Sequence, residues 1–92
     1  MLSGAPGADL VERGLQDLAR RTETVEALLV SIGAPRLRHL GIVVTDPFPD
    51  PERRLYERLA AEDQDSAHSR YNALIRRLVS FERAVECAQP RT

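Results

Sequence analysis

Residues 8–32, ADLVERGLQDLARRTETVEALLVSI, place their apolar side chains at alternating steps of three and four. This spacing keeps side chains on one stripe of an α-helix, and it predicts a single helix over 8–32. The stretch 67–88 repeats the same spacing, and no glycine or proline interrupts the chain between Pro51 and Pro90. We therefore expect two long helices with facing stripes. The predicted seam comprises Val11, Leu15, Leu18, Val25, Leu29, Ile32, Tyr71, Leu74, Leu78, Phe81 and Val85.

The segments around these helices complete the predicted fold. Gly33 and Pro35 end the first helix, and a connector over 33–50 contains a short helix at 35–40. Asp50 and Pro51 are typical of a helix start, so the second helix is predicted over 51–88. Asp63-Gln64-Asp65-Ser66 could break it near 63–66, because these side chains compete for backbone hydrogen bonds, but we favour continuity. Residues 1–7 are predicted to be a flexible tail and 89–92 a second tail.

The sequence therefore predicts one all-α domain over 1–92, a helical hairpin with a short middle helical segment. A lone hairpin leaves its flanks exposed to water, so further apolar surface has to cover them. We expect a homodimer in which two hairpins form a four-helix bundle.

The composition argues against some classes of partner and favours one cellular location. The net charge of −1 gives no general attraction to nucleic acid or to an anionic membrane. All thirteen basic residues are arginine, which is typical of a GC-rich, bacterial genome. No segment resembles a signal peptide or approaches the roughly 18 apolar residues of a membrane span. With Cys87 as the lone cysteine, predicted to lie beside the seam, we expect a cytoplasmic protein in a reducing environment, with no membrane partner.

One helical stretch is rich in arginine. Residues 66–81, SAHSRYNALIRRLVSF, contain Arg70, Arg76 and Arg77 and no acidic residue. The simplest interpretation is a solvated helix face. The functional alternative is a binding surface for an acidic partner or a phosphate.

A DNA-binding function is an alternative hypothesis. Residues 25–42, VEALLVSIGAPRLRHLGI, can be arranged as a helix-turn-helix with Gly33 at the turn. Arg36 and Arg38 would then lie on the recognition helix. The near-neutral net charge offers little affinity for phosphate, so nucleic acid is a less favoured partner.

The segment Asp50-Pro51-Glu52-Arg53 and the helical plan resemble the small all-helical chorismate mutases. The resemblance covers little more than these residues, and Arg54 stands where that family carries an acidic residue. Those enzymes hold a dicarboxylate substrate with arginines and a lysine, whereas this chain contains no lysine. The resemblance implies a pool of candidate substrate clamps: Arg13, Arg20, Arg36, Arg53 and Arg54.

The sequence shows no pattern typical of a metal, cofactor or catalytic site. His39 and His68 are separated by a proline-rich connector, and neither has metal-ligand spacing to a second ligand. We expect no metal site, no cofactor and no catalytic residue. The leading prediction is a non-catalytic protein-interaction module, such as an adaptor, chaperone or regulator subunit, that dimerises and binds another protein.

Overall fold

The computed structural model describes residues 4–89, in which it contains five α-helices and no β-strand. The helices are α1 (Ala8–Ala19), α2 (Val25–Ile32), α3 (Ala34–His39), α4 (Pro51–Glu62) and α5 (Ala67–Ala88). About 70% of the described residues are helical, so the prediction of an all-α fold is confirmed. The ends of both predicted tails, 1–3 and 90–92, lie outside the described residues. Residues 4–7 form turns, and Ala5 packs against the core.

The predicted single helix over 8–32 is wrong, because the chain reverses after α1. Arg21 takes the left-handed conformation with φ of 54°. The Arg21 and Thr22 amides donate to the carbonyls of Leu18 (3.0 Å) and Asp17 (2.8 Å), a hydrogen-bond pattern that ends helices. Thr24 then caps α2, since its hydroxyl accepts from the Ala27 amide at 3.1 Å. The same hydroxyl donates to the buried carboxylate of Asp17 at 2.8 Å, which ties the two helices together.

Helix α2 forms the centre of the molecule. Its five consecutive residues from Ala27 to Ser31 are all buried, so over this stretch no side of the helix faces solvent. A helix that is apolar all round has to be surrounded, and α2 contacts each of the other four helices. The predicted direct seam between the first and last helices is therefore wrong: α1 packs mainly on α2, and α5 packs mainly on α4.

The residues of the predicted seam divide into two groups. Those that are buried are Val11, Leu18, Leu29, Leu78 and Phe81. Those that are half-buried are Leu15, Val25, Ile32, Tyr71, Leu74 and Val85. The second group lies at the margin of the core, because α2 takes the central position.

The long helix predicted over 51–88 is also divided, so the preference for continuity is wrong. Asp63 is extended, with φ of −159°, and its carboxylate accepts from the Asp65 amide at 3.2 Å. The Ser66 hydroxyl donates to the Asp63 carbonyl at 3.4 Å. These local bonds replace the helical ones, and α4 and α5 form a helical hairpin on either side of the break.

The connector packs onto α2. Helix α3 lies within one residue of the predicted short helix at 35–40 and buries Leu37. Further along, the amide of Phe48 donates to the Ser31 hydroxyl at 3.1 Å, and the guanidinium of Arg21 stacks 4.5 Å above the Phe48 ring. Val43, by contrast, is 78% exposed.

Candidate functional site

An open groove of about 500 Å³ runs between α1, the start of α2, α4 and α5. It contains three arginines, Arg58 from α4 and Arg70 and Arg77 from α5, and we call it the arginine groove. Its other lining residues are Leu10, Thr24, Val25, Glu26, Ala73 and Leu74. Cationic groups thus stand beside apolar side chains in one concave surface.

Each arginine of the groove has a carboxylate partner outside it. Arg70 lies 3.0 Å from Glu62, and Arg77 lies 3.3 Å from Asp9. The ion pair of Arg58 with a carboxylate oxygen of Glu23 is longer, at 3.7 Å. All three ion pairs are partly exposed to solvent. Each such pair contributes at most about 1 kcal/mol to the stability of the fold. A ligand carboxylate can therefore replace the internal partner at little cost.

The first turn of α2 adds to the positive potential of the groove. The Ala27 amide donates a hydrogen bond to the Thr24 hydroxyl. The amides of Val25 and Glu26 have no acceptor among residues 4–89. Free N–H groups at a helix start carry partial positive charge. The Glu26 carboxylate is the one acidic group that lines the groove.

The structure brings together only two of the five arginines predicted to bind a partner, Arg70 and Arg77. Arg76 is exposed on the outer side of α5 and does not line the groove. Arg58 was missed by the sequence analysis, because its proximity to Arg70 depends on the hairpin of α4 and α5. No sequence signal identified it.

Arg36 and Arg38, the remaining two, lie on α3 and are engaged within the fold. Arg36 binds Glu86 of α5 at 2.8 Å, and Arg38 donates twice to the carbonyl of Val44, at 2.9 and 2.6 Å. Helix α3, the recognition helix of the DNA-binding hypothesis, has only 6 residues. Arg36 is thus bound to α5 and Arg38 to the connector.

None of the five arginines suggested by the chorismate mutase resemblance lines the arginine groove. Arg13 pairs with Asp17 at 3.4 Å, and Arg20 is exposed at the end of α1. Arg53 binds Asp50 at 2.6 Å, and this hydrogen bond and charge raise the pKa of the Arg53 guanidinium. Arg54 pairs with Glu23 at 3.0 Å and lines a shallow cavity of about 430 Å³.

A second surface lies on the other flank of α5. Tyr71, Ile75 and Val79 follow one another at steps of four residues and form a row that we call the α5 strip. Tyr56 of α4 extends it, with its ring centroid 6.0 Å from that of Tyr71. Burial, followed by the charge of Glu52, raises the pKa of the Tyr71 hydroxyl. Val79 remains 36% exposed and Tyr56 40% exposed.

Helix α5 also carries a buried carboxyl group, that of Glu82, and the thiol of Cys87. Glu82 is buried against Gly33, and this burial raises the pKa of its carboxyl, while the positive charge of Arg36 acts in the opposite direction. Cys87 is exposed, so its predicted place beside the seam is wrong. Within residues 4–89, no group of three or more His, Cys, Asp or Glu side chains is arranged to hold a metal ion. None of the described helices has the length and apolar character needed to cross a membrane.

Comparison of the chain with protein-family models, with curated proteins and with solved structures finds no significant similarity.

Proposed function

We propose that the protein is a non-catalytic protein-interaction module that forms a homodimer through the α5 strip. The observation that carries this proposal is the incomplete burial of α5. This helix has 22 residues, and its buried positions are limited to Ala67, Leu78, Phe81 and Glu82. Tyr71 and Ile75 are only half-buried against the core, and Val79 and Tyr56 are exposed.

A second copy of the chain can cover this surface, because an apolar strip is complementary to itself. Two-fold pairing would place the α4–α5 hairpin of one protomer on that of its partner, which gives a four-helix bundle. Aromatic residues are enriched at protein interfaces, and the strip together with Tyr56 presents two tyrosines and two aliphatic side chains. The pairing would cover the flank of α5 that the core leaves open.

Sedimentation equilibrium of the parent protein and of Val79→Asp tests the proposal. We expect the parent to be a dimer at high micromolar concentration and Val79→Asp to be a monomer, because the interface would have to bury an unpaired carboxylate. Val43→Asp is the matched control: Val43 is also exposed but belongs to the connector and not to α5. It should remain a dimer, and circular dichroism should show both variants as helical as the parent.

A monomeric parent at that concentration would contradict the proposal. Equal dissociation constants for Val79→Asp and the parent would contradict the assignment of the interface to the α5 strip.

A further inference from the structure

We infer that the arginine groove binds an acidic amphipathic helix of a partner protein. This inference rests on the proposed interaction function and names the partner's chemistry. It concerns the flank of α5 that carries Arg70 and Arg77, not the flank that carries the α5 strip. The two surfaces can therefore be tested separately.

Charge complementarity determines the acidic character of the partner. Three guanidinium groups line the groove against the single carboxylate of Glu26. The amides at the start of α2 add partial positive charge on the same side. The acids that pair with the arginines lie outside the lining, so carboxylates of a ligand can take their place. Guanidinium groups bind carboxylates in bidentate geometry, which favours Asp and Glu side chains as ligands.

The spacing of the arginines favours a helical partner over a small anion. Arg70 and Arg77 are two helical turns apart, about 10 Å along the axis at 1.5 Å per residue. Arg58 approaches from the neighbouring helix α4. A helix lying along α5 can present acidic side chains at the same spacing, whereas one phosphate would occupy only one end of this row.

The apolar part of the groove supplies anchors for the other face of such a helix. Leu10, Val25 and Leu74 are only half-buried by their own chain, and all three line the groove. Amphipathic helices bind grooves of this kind with apolar side chains spaced three or four residues apart. The partner should therefore carry leucine-like residues beside its row of acids.

Selection from a phage-displayed library tests this inference with the full-length protein as bait. The library consists of helical peptides of about 16 residues, long enough to sustain a helix, with their surface positions randomised. We expect the enriched peptides to combine apolar residues at helical spacing with Asp or Glu on the adjacent face. The tightest peptide, made synthetically, then serves as the probe for protein variants.

The double variant Arg70→Gln with Arg77→Gln should bind the selected peptide roughly tenfold more weakly or worse, because two charged hydrogen-bond partners are lost. Arg76→Gln is the matched control, since Arg76 is an exposed arginine of the same helix outside the groove. It should change the affinity less than about twofold. Glu26→Gln should tighten binding, because it removes the one carboxylate that repels an acidic ligand.

Enrichment of basic or uncharged peptides, failure to enrich any peptide, or undiminished binding by the double variant would each overturn the inference. Tighter binding of inorganic pyrophosphate than of any selected peptide would also overturn it, in favour of a small-anion site. Peptides whose binding depends on Val79 and not on Arg70 and Arg77 would refute this site while leaving the interaction function standing. Dimerisation by the α5 strip is measured independently by sedimentation.

Discussion

Gly14 allows the backbones of α1 and α2 to approach each other closely. It is buried in the middle of α1, where glycine weakens a helix relative to alanine. A Cβ atom at this position would overlap the carbonyl oxygen of Glu26 and would lie 2.7 Å from the Cγ1 atom of Val30. The glycine is therefore required by the packing of α2, although it is unfavourable for α1 itself.

Gly14→Ala is expected to destabilise the protein by about 1–3 kcal/mol, the range for overpacking a core. The helix propensity of alanine would favour the opposite result by about 1 kcal/mol, so the sign of the change decides between the two effects. Urea denaturation followed by circular dichroism measures the free energy of unfolding. Gln16→Ala, at an exposed position of α1, is the control and should be neutral or slightly stabilising. A Gly14→Ala protein as stable as the parent would show that the two backbones are not in close contact.

The sequence identifies Gly14 only as a glycine inside a predicted helix. The residues that require it, Glu26 and Val30, belong to a helix whose direction relative to α1 depends on the turn between them. Arg58 in the arginine groove is a similar case, because its neighbours are set by the hairpin of α4 and α5. The apolar spacing indicates which segments are helical, but contacts such as these depend on tertiary packing.

The Thr24 hydroxyl makes two hydrogen bonds at the junction of α1 and α2. It accepts from the amide of Ala27 and donates to the carboxylate of Asp17. Asp17 is buried, so the loss of this donor would leave its carboxylate with only the exposed guanidinium of Arg13 at 3.4 Å. The Thr24 hydroxyl therefore contributes both to the start of α2 and to its attachment to α1.

Thr24→Ala is expected to lower the free energy of unfolding by about 1–3 kcal/mol. Loss of a helix cap costs about 1 kcal/mol, and the partly unsatisfied carboxylate of Asp17 adds to this cost. Thr24→Ser retains the hydroxyl and should recover most of the stability, which separates the hydrogen bonds from the methyl packing. Thermal and urea denaturation of the two variants provide the comparison. If Ser and Ala at this position were equally destabilising, the hydroxyl would not be responsible.

The helix boundaries show which signals in the sequence were decisive. The apolar spacing predicts one helix over 8–32, yet Thr22, between the seam residues Leu18 and Val25, is exposed and lies outside any helix. Thr24 directly before an apolar run is a helix-start signal, and it outweighs the periodicity. Asp63-Gln64-Asp65-Ser66 carries the same type of signal and produces the same result. Side chains that bond to the backbone determined both breaks, whereas periodicity only located the helical regions.

The architecture as a whole follows from the burial of α2. The predicted stripe included Leu29 but omitted Leu28 and Val30, both of which are fully buried. Two helices that face each other through one stripe each cannot bury a segment that is apolar on every side. The sequence therefore predicted the all-α class but not the central position of α2. With α2 at the centre, the other four helices share one core and are expected to unfold together.

Leu28→Ala tests this dependence on α2. Leu28 has no exposed surface, and truncation of a buried leucine to alanine costs about 2–5 kcal/mol. A domain of this size has a total stability of roughly 5–14 kcal/mol, so the variant should lose a large part of it. Leu74→Ala, at a half-buried position of the arginine groove, should cost less, since fewer contacts are lost. Hydrogen exchange is the decisive measurement: the Leu28→Ala change should increase exchange in α1, α4 and α5 by a similar factor. Loss of protection in one helix alone would show that the helices do not depend on a common centre.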